Sequence, residues 1–166
     1  MILILGRFQP LHKGHLKVIE DAYKEDKDIV IAIGSAQVTD RKENPFSAEE
    51  RKLMLEKTLE ANNIKAKIIL VPDIACDDTY VGHVEEFVGD KPDKIITENE
   101  WTIDLFKKAG YDVHITPRYF DISATDIRDK ISKDEPWEDL VPTETLKVLK
   151  EINCVDRIKK ISQDTP

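Results

Sequence analysis

Apolar residues in this chain fall into short unbroken runs separated by longer amphipathic stretches. Ile2-Leu3-Ile4-Leu5, closed by Gly6, and Asp28 to Ser35 (DIVIAIGS) are two such runs, and each predicts a strand buried on both faces. Between them, Gly14 to Tyr23 places Leu16, Val18, Ile19, Ala22 and Tyr23 at helical spacing. Ser47-Ala48-Glu49-Glu50 has the form of a capping box and predicts a helix through about Asn62, with Leu53, Met54, Leu55, Thr58 and Leu59 on its buried side. The alternation continues with a strand at Ile68 to Val71, a helix at Thr79 to Val88 and a strand at Lys94 to Ile96. A helix from Glu100 that stops at Gly110 and a strand from Tyr111 to Ile115 complete it.

Strands alternating with helices predict an α/β fold, a doubly wound, Rossmann-like parallel sheet of about five strands. The remainder changes character. Ser123 to Ile131, Thr143 to Glu151 and Val155 to Ile161 read as helices broken by Pro136 and Pro142, a C-terminal helical appendix with no further strand. The expected organisation is one domain over residues 1–166, with an α/β core at 1–120 and a helical part at 121–166. In such a sheet, ligands sit beyond the carboxyl ends of the strands where the strand order reverses. That rule singles out the loops Gly6 to His15, Gly34 to Phe46 and Arg118 to Arg128.

Composition narrows the class. The 166 residues carry 25 Lys+Arg against 33 Asp+Glu, a net charge of -8, and are 40% hydrophobic, which suits one soluble globular core. No apolar run approaches the roughly 18 residues of a membrane span, and the opening MILIL is too short for an anchor or a signal peptide. The acidic balance argues against nucleic acid as a partner, because nonspecific binding needs a basic surface that releases counterions. Cys76 and Cys154 lie far apart without metal-ligand spacing, so the expected compartment is a reducing cytoplasm.

The first loop, Gly6-Arg7-Phe8-Gln9-Pro10-Leu11-His12-Lys13-Gly14-His15, carries the chemistry. Two histidines open a helix whose first turn has free N–H groups and a positive dipole end, which is an anion site. Gly14 permits close backbone approach, and Arg7 and Lys13 add charge. The stretch resembles the (H/T)xGH signature of the nucleotidyltransferase superfamily, and its GRFQP lead-in is similar to nicotinamide mononucleotide adenylyltransferases of the short archaeal type. Gly34-Ser35-Ala36-Gln37, then Glu43-Asn44-Pro45-Phe46-Ser47 with Glu50-Arg51, then Ile122-Ser123-Ala124-Thr125-Asp126-Ile127-Arg128 fit the same family in order. The last is similar to its ISSTxxR motif, and Trp137 to Pro142 to its WExLVP stretch.

The resemblance implies transfer of AMP from ATP to nicotinamide mononucleotide, giving NAD and pyrophosphate. A phosphate nucleophile is already anionic, so this chemistry needs neither a general base nor a covalent intermediate. It implies His12, His15, Arg7 and Arg128 as catalytic residues. Gly6, Arg7, Phe8, Gln9, His12, Gly14, His15, Ser123, Thr125 and Arg128 would bind ATP and its phosphates. Gly34, Ser35, Ala36, Gln37, Tyr80 and Asn99 would bind the mononucleotide. Tyr80 stands where the family offers a Trp beside the nicotinamide ring, with core packing as its rival role, and Trp101 reads as packing. No carboxylate cluster announces a protein cage for a metal, so Mg2+ is expected to travel with ATP. A homo-oligomer, with a hexamer as one candidate form, is expected by analogy.

Two departures bear on affinity. Thr97-Glu98-Asn99-Glu100 replaces a Ser-Gly-Asn-Pro-like stretch, and Glu43 stands where relatives carry a basic residue, with Arg41 and Lys42 beside it. Alternative readings stay open: transfer to an FMN or phosphopantetheine acceptor, cytidylyl transfer, or a non-catalytic nucleotide- or metal-binding protein using His12 and His15. For the last, His83, His114, Cys76 and Cys154 offer no helpful spacing.

Overall fold

Parallel neighbours in a sheet need a crossover long enough to return the chain to the starting edge, and a helix is the usual means. The computed structural model of the chain describes residues 1–115 and 118–165. Strands β1 (Ile2–Gly6), β2 (Ile29–Ile33), β3 (Lys67–Leu70), β4 (Lys94–Ile96) and β5 (Val113–His114) alternate with helices α1 (Lys13–Glu25), α2 (Ala48–Ala61), α3 (Asp77–Val88) and α4 (Glu100–Lys108). All pairings are parallel, in the order β3-β2-β1-β4-β5, with Ile2 of β1 in register with Ile29 on one side and Lys94 on the other. The order therefore reverses between β1 and β4.

The two-residue period of the strands sorts the core into two layers. Ile2, Ile4, Ile29, Ile31 and Ile33 face α1 and α2, whereas Leu3, Leu5, Val30, Ala32 and Ile95 face Tyr80, Val84 and Val88 of α3 and Phe106 of α4. Helices α5 (Ala124–Ser132), α6 (Thr143–Glu151) and α7 (Cys154–Asp164) extend the first layer through Ile127, Ile131, Val148, Leu149 and Ile158. Arg157 of α7 grips Glu50 of α2 with two hydrogen bonds of 2.6 and 2.9 Å, fastening this helical part to the α/β layers.

Two expectations shift. Leu53 is 36% exposed, and the buried position on that side of α2 belongs to Arg51, which is 0% exposed because its guanidinium meets backbone carbonyls rather than apolar groups. The fifth strand shrinks to Val113 and His114: Tyr111 N–H instead bonds Phe106 O at the end of α4, and Ile115 stands exposed at the sheet edge. No helix among the described residues is long and apolar enough to cross a membrane.

Candidate active site

A cleft of about 550 Å3 opens beyond the carboxyl ends of β1 and β4, where the strand order reverses. Helices α1 and α5 both begin at it, so two sets of unpaired N–H groups and two positive dipole ends converge on one space. His12, His15, Arg7, Ser123, Thr125 and Arg128, separated by more than a hundred positions of chain, share this lining.

His12 is the N-cap of α1. Its Nδ1 accepts from the His15 backbone N–H at 3.2 Å, and the His15 Nδ1 accepts from the His12 backbone N–H at 3.2 Å. This is a capping box built from two imidazoles in place of the usual hydroxyl and carboxylate. The rings stack with centroids 3.6 Å apart and planes 20° from parallel, while Phe8 meets His15 edge-on at 4.9 Å. An Nδ1 that accepts carries no proton, so in the neutral ring the proton sits on Nε2. Among the described residues neither Nε2 has a protein partner, which leaves both as donors available to the cleft.

Burial first, and then the Arg118 cation, pull the His12 pKa down to about 4. His15 is also held well below the usual imidazole range by burial and by His12. Both rings are thus neutral at neutral pH. Gly14 makes this pairing possible. A Cβ there would meet His12 Cε1 at 2.9 Å and Nδ1 at 3.0 Å, so the missing side chain makes room for the imidazole.

The chain turns sharply as it leaves β1 and β2, with Phe8 at φ 53° and Ser35 at φ 48°, both in the left-handed region that non-glycine residues seldom adopt. Arg51 secures both turns from beneath. Its Nη1 donates to Arg7 O (2.9 Å) and Gly34 O (2.8 Å), its Nη2 to Ser35 O (3.1 Å) and its Nε to Ser47 O (3.2 Å). Sequence reading noted Glu50-Arg51 only as a matching segment and assigned Arg51 no role. The only signal was an arginine set on the apolar side of an amphipathic helix.

Gln9 spends its side-chain amide on Phe46, donating to its carbonyl and accepting from its N–H at 3.0 Å each, which ties the first loop to the second. Phe8 is buried against Gly6 and His15. Arg128 is 8% exposed and anchored by Nη1 to Gln9 O (2.7 Å) and by Nη2 to Thr125 Oγ1 (3.2 Å). Ser123 caps α5, accepting from Asp126 N–H at 3.1 Å and donating to its carboxylate at 2.6 Å. Arg7 is exposed, and its guanidinium has no partner among the described residues.

At the other end of the cleft, the four residues Gly34 to Gln37 divide. Gly34 and Ser35 line it, but Ala36 and Gln37 do not: Ala36 N–H bonds Val71 O, and the Gln37 amide is taken up by Asp73. The loop after β4, which the rule for ligand loops omitted, forms a wall with Thr97, Glu98 and Asn99, since β4 is the strand beside the reversal. Asn99 caps α4 through its Oδ1, bonded to Thr102 N–H at 2.9 Å. Tyr80 is 7% exposed and joins the core layer with Val84, Val88 and Phe106, and it also lines the cleft. Trp101 overturns its reading as packing: it is 42% exposed and lines the cleft.

No group of three or more His, Cys, Asp or Glu side chains among the described residues is arranged to hold a metal ion.

Comparison with known proteins agrees with this geometry. A family model described as cytidylyltransferase-like matches residues 3–130. The chain is 39% identical over 167 residues to a Thermococcus sibiricus protein named nicotinamide-nucleotide adenylyltransferase, covering 98% of this chain and 89% of the relative. It is 36% identical over 169 residues to a protein of the same name from Thermoplasma volcanium, covering 98% and 94%. A crystal structure of a bifunctional NMN adenylyltransferase/ADP ribose pyrophosphatase from Francisella tularensis, complexed with AMP and a Mn ion, superposes with a TM-score of 0.68 at 25% identity. That match covers 99% of this chain and 56% of the bifunctional protein.

Proposed function

The chain belongs to the cytidylyltransferase-like nucleotidyltransferases, and from that premise we infer that it is a nicotinamide-nucleotide adenylyltransferase, moving AMP from ATP to nicotinamide mononucleotide with release of pyrophosphate. The observation that carries the reading is the convergence of two helix N-termini and two neutral imidazoles on the cleft where the sheet order reverses. That arrangement suits two polyanions held end to end.

In the proposed mechanism, the mononucleotide phosphate attacks the α-phosphorus of ATP in line and the bond to the β-phosphate breaks. Negative charge grows on the departing pyrophosphate. The Nε2–H groups of His12 and His15 donate to the oxygens where that charge develops, and the fixed rings need no reorganisation to do so. Arg128, Ser123, Thr125 and the first turn of α5 hold the β- and γ-phosphates, and Arg7 spans the junction between the substrates. Gly6 and Gly14 keep the backbone close to the phosphates, while Phe8 and Gln9 act by shaping the loop. At the acceptor end, Gly34, Ser35, Tyr80 and Asn99 are the proposed mononucleotide neighbours.

A divalent ion, magnesium by preference, is proposed to accompany the triphosphate, where it would neutralise part of its charge. The same reading covers residues 1–166 as one domain of a cytoplasmic homo-oligomer that binds no nucleic acid. The thiols Cys76 and Cys154 bear on the compartment and the net charge of -8 on the nucleic-acid reading, while the homo-oligomer rests on the family resemblance.

Incubating the protein with ATP, magnesium and a panel of acceptors tests the function. NAD and pyrophosphate should form in equal amounts with nicotinamide mononucleotide. Adenylylation of FMN or phosphopantetheine in its place would overturn the assignment.

A further inference from the structure

Pro45, Phe46 and Ser47 are consecutive residues at the end of the second loop, and each is held by a different part of the chain. Arg157 of α7 donates from Nη1 to Pro45 O at 3.4 Å, and its guanidinium grips both carboxylate oxygens of Glu50 at 2.6 and 2.9 Å. Glu50 in turn accepts from Ser47 N–H at 2.9 Å, so Arg157 holds the carboxylate that caps α2. Between them Phe46 is fully buried, and its N–H and carbonyl are both taken by the Gln9 amide at 3.0 Å. The Gln9 carbonyl then receives Arg128 Nη1 at 2.7 Å. A continuous series of polar contacts therefore runs from the C-terminal helix to an arginine that lines the cleft.

We propose that Arg157 is a positioning residue for the donor nucleotide, acting through Pro45, Phe46 and Gln9 to hold Arg128 in the orientation that receives the triphosphate, a role that rests on the adenylyltransferase reading. Arg157 does not line the cleft, so its effect on nucleotide binding passes through the residues between. A second route runs in parallel. Helix α5, which carries Arg128, packs on α7, and Ile127 and Ile131 share one core cluster with Cys154 and Ile158. One helix thus fixes both ends of the same side chain, its backbone by apolar packing and its guanidinium by way of Gln9. A long side chain loses rotamer freedom when a ligand orders it, and a guanidinium already held in place loses less. Among the described residues, only two of its five N–H donors are spent within the fold, on Gln9 O and Thr125 Oγ1. The others remain for phosphate.

Isothermal titration with ATP and magnesium, and separately with nicotinamide mononucleotide, tests the role on folded protein, with a thermal melt of each variant beside it. Arg157→Gln should raise the Kd for ATP about tenfold, within the coupling expected of residues in one hydrogen-bond network, while the Kd for the mononucleotide stays within about twofold. Arg157→Lys keeps a single bond to Glu50 and should recover part of the loss. Gln9→Leu cuts the series at Phe46 and should give the same selective loss. In an Arg128→Lys background, Arg157→Gln should change the ATP Kd by less than about twofold, because the group it positions is gone. If Arg157→Gln is unfolded at the assay temperature, Arg157→Lys carries the same cycle with the same signs.

Equal loss of affinity for ATP and the mononucleotide, or an Arg157 effect that persists at full size beside Arg128→Lys, would overturn the positioning role. ATP binding with the expected coupling, in a protein that forms no dinucleotide, would refute the adenylyltransferase reading while leaving the role of Arg157 intact. Dinucleotide formation without the coupling would do the reverse.

Discussion

His12 and His15 cap each other: each ring nitrogen Nδ1 accepts the other residue's backbone N–H at 3.2 Å, and the rings stack at 3.6 Å. One short pattern therefore performs three tasks. It starts α1, it fixes the tautomer of both rings, and it leaves two Nε2–H donors available to the cleft.

The pairing sets a pH dependence. His12 is depressed to about 4, against about 6.5 in the unfolded chain, so at intermediate pH the unfolded state binds the extra proton. Stability is expected to be complete above about pH 6.5 and to fall as pH drops toward 4, by about 3 kcal/mol from this group. Denaturant melts of wild type and His12→Asn across that range check it, and the variant should show a shallower loss. For the same reason kcat should be flat from about pH 6 to 8, with no inflection at the ordinary imidazole pKa.

Gly14→Ala puts a methyl 2.9 Å from the His12 ring and so displaces it. The expected result is a loss in kcat of about 10²-fold, the size of one misplaced donor, with KM for the mononucleotide little changed. Steady-state kinetics in both substrates decide it. A Gly14→Ala enzyme with normal kcat would show that the spacing of the rings is not critical.

Arg51 gives four hydrogen bonds to carbonyls and is fully buried. Arg51→Met leaves those carbonyls without their donors and is expected to cost about 2–4 kcal/mol, because unpaired buried groups retain their desolvation penalty. Arg51→Lys, with its single nitrogen, should recover only part of it. Chemical denaturation is the measurement, and a loss under about 1 kcal/mol for Arg51→Met would contradict the role given to this residue.

Glu43 acts as a neighbouring negative charge on Arg128, which lines the cleft and is proposed to hold the triphosphate. Removing a like charge from a polyanion's path should lower KM for ATP by a few-fold in Glu43→Gln, more at low salt than at high salt. KM measured at two ionic strengths checks it. An unchanged value at low salt would place Glu43 outside the nucleotide's field.

Much of this was legible because the strands are short, buried and unbroken: Ile2 to Leu5 and Ile29 to Ile33 admit few other readings. The Ser47–Glu50 box marked the start of α2 correctly. What the sequence hid was long-range. The strand order, and with it the importance of the loop after β4, depends on which strands pair, and no local pattern encodes that. Arg51 drew no role from the sequence because its partners are backbone carbonyls of residues 7, 34 and 35, which any sequence would present. Trp101 read as packing because its place at the start of a helix gives no chemical case by itself, and its 42% exposure beside Tyr80 in the cleft depends on how α3 and α4 pack. Ala36 and Gln37 missed the cleft since the loop turns at Ser35 toward Val71 and Asp73.

The central claim is that a neutral imidazole donor at the start of α1 stabilises charge on the leaving pyrophosphate. His15→Ala tests it most directly, assayed with ATP, nicotinamide mononucleotide and magnesium beside a thermal melt. The expected result is a kcat lower by about 10²–10³-fold with a melting temperature within a few degrees of wild type. A kcat close to wild type together with a melting temperature lowered by many degrees would contradict it, since His15 would then serve the helix and not the reaction.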